Sequence, residues 1–126
     1  MKRFGFSIEV VNDAALEMYK EMHKQVPQEI SGDKGALKKI GLQRMSIYLL
    51  PNNTLFMQIE ANDDFDPLRD FTYALSLHPV VKEWDDKMHG KDNPLLRRSP
   101  NNNTELNWLR LEQVYDWSIT EIANVS

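Results

Sequence analysis

The chain has 126 residues and a formal charge of −4, from 15 lysines and arginines against 19 aspartates and glutamates. This length is typical of a single domain, which we expect to span residues 1–126 and to bury one core without a disulfide or a metal. Because the sequence has no cysteine, it excludes a disulfide framework, a thiolate nucleophile and a cysteine-based metal site, and it favours a cytoplasmic location.

Charge and hydropathy exclude two further classes of protein. A pI of about 5.3 argues against a nucleic-acid partner, since binding a phosphate backbone needs a basic surface. No apolar run approaches the roughly 18 residues that a membrane helix requires, so we expect no membrane partner. A folded, soluble domain is therefore the expectation.

The start of the chain predicts a strand followed by a helix. Residues 4 to 10 alternate between apolar and polar side chains, which is typical of a strand with one buried face. From Asn12, a plausible helix start, apolar side chains recur at helical spacing, and the predicted helix ends near Pro27. Tyr19 and His23 lie on its apolar face.

The next segment predicts a hairpin. Residues 28 to 35 are predicted to form a loop, and residues 36 to 40 a helical turn closed by a glycine. Residues 44 to 49 and 55 to 61 then alternate as two strands, with the turn-forming sequence Pro-Asn-Asn at 51 to 53 between them.

Two helices are predicted after the hairpin. Asp66 is a good N-cap residue and is followed by a proline at the first helical position. His78 precedes a second proline, which disfavours the helical conformation at position 78 and ends the first helix. A shorter helix begins at Pro79 and carries Trp84.

The remaining chain completes the fold prediction. Residues 90 to 105 form a long polar loop, residues 109 to 117 alternate as a fourth strand, and residues 118 to 126 are expected to be a loose tail. The order of elements is βαββαβ, which predicts an α+β, ferredoxin-like fold: a four-stranded antiparallel sheet with helices on one face.

Few residue types with catalytic chemistry are present. The three histidines, His23, His78 and His89, have no metal-ligand spacing, so we expect no metal site. A glycine-rich phosphate loop and a Gly-x-Ser-x-Gly elbow are both absent from the sequence, which argues against nucleotide chemistry and serine hydrolysis. We therefore expect no cofactor.

Two pairs of residues remain as candidates for function. Tyr19 and His23 are four residues apart, so their side chains lie one above the other on a helix, a phenol beside a group that titrates near pH ~6.5. Trp84 and Asp85 combine a ring that can stack on a sugar with a carboxylate that accepts from hydroxyls. Both pairs have a competing interpretation, in which the aromatic rings simply pack in the core and His23 lies at its edge.

Taken together, these features resemble the L-rhamnose mutarotase family, small ferredoxin-like proteins that interconvert the anomers of a deoxyhexose. The resemblance runs from Phe4 to Trp117. It is carried, in chain order, by the Tyr19-x-x-x-His23 helix, Ser46-Ile47-Tyr48-Leu49, Trp84 to Met88, Ser99-Pro100 and Leu109 to Tyr115.

The resemblance implies a role for each matching position. It makes His23 the proton donor, Tyr19 a hydrogen-bonding group to the sugar, and Trp84 a wall of the pocket. Met45 stands where the family pattern has a substrate-contacting tyrosine, and Asp85 stands where a second tryptophan follows the first. It also implies a monosaccharide substrate, no metal or cofactor, and a homodimer of the dimeric α/β-barrel type.

Other functions remain open on the same fold. Ferredoxin-like dimers include cofactor-free monooxygenases and haem-degrading proteins, and a member of this family that only binds a sugar or a protein is a further alternative. The RNA-recognition module has the same element order, but its third strand carries stacking aromatics in a basic-Gly-aromatic pattern. The third predicted strand here has Phe56 as its only aromatic residue and includes Glu60, so we reject an RNA-recognition module.

Overall fold

A computed structural model describes residues 1–97 and 107–119. The strands are β1 (Lys2–Val10), β2 (Leu42–Leu50), β3 (Thr54–Ala61), β4 (Leu96–Arg97) and β5 (Leu109–Leu111). The helices are α1 (Asp13–Met22), α2 (Gln28–Ser31), α3 (Ala36–Lys39), α4 (Pro67–Ala74) and α5 (Pro79–His89). None of the helices in this part of the chain is long and apolar enough to cross a membrane.

The strands form one antiparallel sheet in the order β2-β3-β1-β4, and β5 also pairs with β1. β4 lies against Glu9 and Val10, whereas β5 lies against the segment from Gly5 to Ser7, so two short strands share one edge of β1. This arrangement confirms the ferredoxin-like α+β fold.

The C-terminal strand prediction was wrong in its extent. Strand structure covers Leu109–Leu111 and not the whole of 109 to 117. Tyr115 and Trp117 are exposed, so their alternation marks no buried face. Asp116 instead accepts a hydrogen bond from the Arg3 guanidinium at 3.1 Å, which holds this irregular segment beside β1.

The predicted polar loop also contains structure. β4 falls inside residues 90 to 105, where Leu95 and Leu96 are buried and the end of β1 gains a pairing partner. A two-residue strand is too short to show an alternating pattern, which explains why the sequence did not reveal it. Residues 98–105 of the predicted loop and 120–126 of the predicted tail lie outside the described residues.

Two boundaries on the helical side differ from expectation. α1 ends at Met22, and the predicted helix does not continue to Pro27. The next backbone amides bond three residues back, as from Lys24 to the Glu21 carbonyl, so the chain tightens and leaves the helix. Gln28–Ser31 is a short helix and not a loop; it buries Ile30, and four residues are too few to establish a helical period.

The remaining local predictions are confirmed. Asn52 and Asn53 have φ values of 63° and 54°, which asparagine tolerates and the tight β2–β3 turn requires. The Asp66 side chain accepts from the Arg69 amide at the start of α4, at 2.8 Å. Gly41, at φ 98°, closes α3.

The core lies on the helical side of the sheet. Phe6 on β1 is paired with Met57 on β3, and Ile8 on β1 lies on the same face; all three are buried. The opposite face stays open along β2 and β3, where the rings of Tyr48 and Phe56 stack with their centres 6.3 Å apart. Tyr48 is 56% exposed, so the described residues leave the outer face open at this position.

The exposed outer face yields a test of the homodimer, which stays a prediction. We expect Tyr48→Lys to lower the mass measured by size exclusion with light scattering from that of a dimer to that of a monomer, because a charge there opposes burial against a second sheet. Tyr73→Lys is the matched control: Tyr73 is also 56% exposed but lies on α4. A monomeric wild-type protein would contradict the prediction.

Candidate functional site

A cavity of about 480 Å³ lies between the inner face of the sheet and the helices. Its volume falls in the range of small-molecule sites. Most of the wall is apolar, with contributions from the 26–37 segment, β2, β3, α4 and α5. The polar wall residues among the described positions are Tyr19, His23, Ser31, Asp85, His89 and Asn107, together with the indole of Trp84 and that of Trp108.

The structure brings the five predicted site residues together. Tyr19, His23, Met45, Trp84 and Asp85 all line this cavity. They come from α1 and its C-terminal cap, from β2, and from α5, so elements far apart in sequence meet at one place.

Three aromatic rings form the end of the cavity next to α1. The rings of Tyr19 and His23 are stacked with their centres 4.0 Å apart, as their four-residue spacing on the helix allows. The rings of His23 and Trp84 form an edge-to-face contact, with their centres 5.1 Å apart and their planes at 72°. The imidazole is thus held between a phenol and an indole.

A hydrogen bond determines the state of His23. Its Nδ1 lies 2.7 Å from the backbone carbonyl oxygen of Tyr19. Because a carbonyl only accepts, Nδ1 carries the proton and donates it, which leaves the lone pair of the neutral ring on Nε2. Burial lowers the pKa of His23, and the bond to the Tyr19 carbonyl opposes this in part. At neutral pH the ring is therefore a proton acceptor.

The neighbouring polar groups are affected by the same burial. It raises the pKa of the Tyr19 phenol well above its usual value, so Tyr19 keeps its proton and serves as a hydrogen-bonding group. Burial also raises the pKa of the Asp85 carboxyl; Lys82 opposes this shift and Asp86 adds to it. Lys82 itself forms an ion pair with Asp86.

Met45 presents an apolar side chain to the cavity. It lies on β2, opposite Ile59 of β3, on the inner face of the sheet. A thioether has neither a donor nor a charge, so Met45 contributes contact surface.

Sequence reasoning missed several wall residues, including His89, Phe71 and Trp108. A signal for His89 was available, because it follows Asp85 by four residues on one helix, the same spacing as Tyr19 and His23. Trp108 comes from beyond the 98–106 segment, and only the fold shows that it returns to the cavity.

Two kinds of site are absent from the described part of the chain. No cluster of three or more histidine, cysteine, aspartate or glutamate side chains there is arranged to hold a metal ion. No lysine or arginine of those residues lines the cavity. The described wall therefore has no cation for a phosphate or a sugar acid.

Comparison with known proteins identifies the family. The family model for L-rhamnose mutarotase matches residues 3–117. The chain therefore belongs to the L-rhamnose mutarotase family, as the resemblance indicated, and this membership supports an isomerase.

Three individual proteins are similar to this chain. An L-rhamnose mutarotase from Formosa agariphila is 26% identical, with a TM-score of 0.63 over 94% of this chain and 100% of that one. A UPF0734 protein from Dictyostelium discoideum is 38% identical over 116 residues, 91% of this chain and 89% of that protein. A tetracenomycin F2 cyclase from Streptomyces glaucescens, 20% identical with a TM-score of 0.57 over 94% of this chain and 98% of that one, shares the fold.

The half-buried imidazole of His89 predicts a pH-dependent stability. Burial lowers its pKa from 6.5 to about 4, so between these values the unfolded chain binds more protons and the free energy of unfolding falls as the pH falls. We expect wild type to lose about 2–3 kcal/mol more than His89→Gln between pH 7 and pH 4. Urea unfolding of both proteins at each pH measures this difference, and parallel losses would contradict it.

Proposed function

We propose that this protein is a sugar mutarotase that interconverts the α and β anomers of a free deoxyhexose, such as L-rhamnose or L-fucose, by acid/base ring opening. Membership of the L-rhamnose mutarotase family supports the reaction. The observation that carries it is the His23–Tyr19 hydrogen bond, which leaves a neutral imidazole with an unshared Nε2 in the wall of a largely apolar cavity.

Mutarotation makes modest chemical demands. The anomeric hydroxyl loses its proton, the ring oxygen gains one, and the bond between the ring oxygen and C1 breaks to give the open-chain aldehyde. Rotation about the C1–C2 bond and the reverse proton transfers close the other anomer. Acid/base groups and positioning are sufficient for every step.

His23 supplies one half of this proton transfer. In the neutral ring, Nε2 accepts a proton during ring opening, and the resulting imidazolium donates one during closure. His23 therefore acts as the proton donor that the resemblance implies in the closing step. Stacking against Tyr19 and the edge contact with Trp84 restrict the orientation of the ring. The indole of Trp84 also offers an apolar face for the C–H surface of the sugar.

Asp85 supplies the second proton transfer, to the ring oxygen. It follows Trp84 on α5 and lines the same cavity as His23. Its raised pKa increases the fraction of carboxyl that carries a proton, which allows it to donate to the ring oxygen and to recover the proton on closure. Tyr19, whose phenol stays protonated, assists as a hydrogen-bond donor.

The chemistry of the wall also indicates which kind of sugar fits the cavity. Because its described residues include one carboxylate and no lysine or arginine, a sugar phosphate or sugar acid would be bound without a compensating cation. A neutral, unphosphorylated sugar with apolar C–H surface matches this wall.

Removing the His23 imidazole tests the reaction. We expect His23→Ala to lower the rate of exchange between the α and β anomers of L-rhamnose or L-fucose by about 10²- to 10⁴-fold, since its proton transfer is lost. NMR saturation transfer between the two anomeric signals measures the rate directly. His78→Asn, which keeps a capping residue at the start of α5, is the control. An undiminished rate in His23→Ala would exclude the assigned role.

The role of the Asp85 carboxyl in proton transfer is tested by comparison with Asp86. Asp85→Asn should reduce kcat for anomer exchange by about 10²-fold or more, because the amide cannot transfer a proton. Asp86→Asn is the matched control, since Asp86 is exposed and pairs with Lys82. Equal kcat values for the two variants would assign the second proton transfer to another group.

A further inference from the structure

His89 belongs to the face of α5 that forms one wall of the cavity. The wall residues of this helix are Val81, Trp84, Asp85, Met88 and His89. Their spacing places them on one side of the helix, with His89 one turn beyond Asp85. The two polar side chains therefore project from adjacent turns of the same wall.

The three histidines of the chain differ in what their ring nitrogens do. In His78, Nδ1 accepts from the Val80 amide at 3.1 Å and caps α5. In His23, Nδ1 donates to the Tyr19 carbonyl. Among the described residues, neither a hydrogen bond nor an ion pair engages the His89 ring. A helix cap accounts for the ring nitrogen of His78, whereas no contact among the described residues accounts for the ring nitrogens of His89.

The ring nitrogens of His89 are also accessible. Every fully buried side-chain nitrogen or oxygen among the described residues has a hydrogen-bond partner. Because the ring nitrogens of His89 have none there, they are not fully buried. Its low pKa keeps the ring neutral at physiological pH, with one N–H donor and one acceptor nitrogen. The ring can thus both give and receive a hydrogen bond with a ligand.

Asp85 and His89 complement neighbouring oxygen atoms of a sugar. Side chains four residues apart on a helix have Cβ atoms about 5–6 Å apart, so their polar ends can converge on neighbouring groups of one ligand. The carboxyl of Asp85 hydrogen-bonds to the ring oxygen, and the neutral imidazole of His89 exchanges a hydrogen bond with a neighbouring hydroxyl. An isolated hydrophobic ligand would leave both groups without partners.

We propose that His89 is a substrate-binding residue, which contacts a ring hydroxyl of a neutral monosaccharide beside Asp85 and helps to select the configuration of the hydroxyls. This inference rests on the proposed function for the identity of the ligand. It assigns His89 to binding, whereas proton transfer belongs to His23 and Asp85.

Kinetics of two variants test the assignment. We expect His89→Leu to raise KM for the preferred sugar about tenfold with little change in kcat, because a hydrogen bond made equally in ground and transition states is lost. His89→Gln, which keeps a donor and an acceptor, should restore part of the affinity. The preference between L-rhamnose and L-fucose, which differ in hydroxyl configuration, should also change in His89→Leu. His78→Asn is again the control.

A binding measurement separates this inference from the reaction itself. The ring ¹⁵N signals of His89, assigned by their absence in His89→Gln, should shift and saturate as L-rhamnose or L-fucose is added to wild type. Shifts without accelerated anomer exchange would support the role of His89 and overturn the proposed function. The role of His89 alone would be overturned if wild type exchanges the anomers, the His89 signals do not shift, and His89→Leu leaves KM unchanged. Neither binding nor exchange with either sugar would overturn both.

Discussion

The pairing register of β1 and β3 determines which side of the sheet carries both the core and the cavity. Phe4 pairs with Ile59, and Phe6 pairs with Met57, so the inward side chains of the two central strands lie directly opposite one another. A slip by one residue would send this whole set to the opposite face, because side chains alternate along a strand. The helices pack on the apolar side that this register defines, and the cavity lies between them and the sheet.

The end of α1 converts this architecture into a chemical site. Tyr19 is buried within the helix, and His23 caps it, so the His23 ring stacks on Tyr19 and binds the carbonyl of the same residue. The Tyr19 carbonyl thus accepts hydrogen bonds from both the backbone amide and the ring of His23.

One physical cause accounts for the electrostatics of the cavity. An apolar wall disfavours charge, so burial lowers the pKa values of His23 and His89 and raises those of Tyr19 and Asp85. Tyr19, His23 and His89 are therefore neutral hydrogen-bonding groups near physiological pH, and the same burial favours the protonated form of Asp85. This environment is compatible with exchanging protons on a neutral sugar, and the described part of the wall has no cation to pair with an anion.

The sequence by itself determined the order of the longer elements, the buried faces of the long strands, the β2–β3 turn and the starts of α4 and α5, because each depends on local periodicity or on capping and turn residues. The spacing of Tyr19 and His23 likewise required only a helix. Tertiary structure alone decided that β4 and β5 share an edge of β1, that Trp108 returns to the cavity, and that the His89 ring has no hydrogen-bond partner among the described residues. These features depend on contacts between distant segments, which no local pattern records.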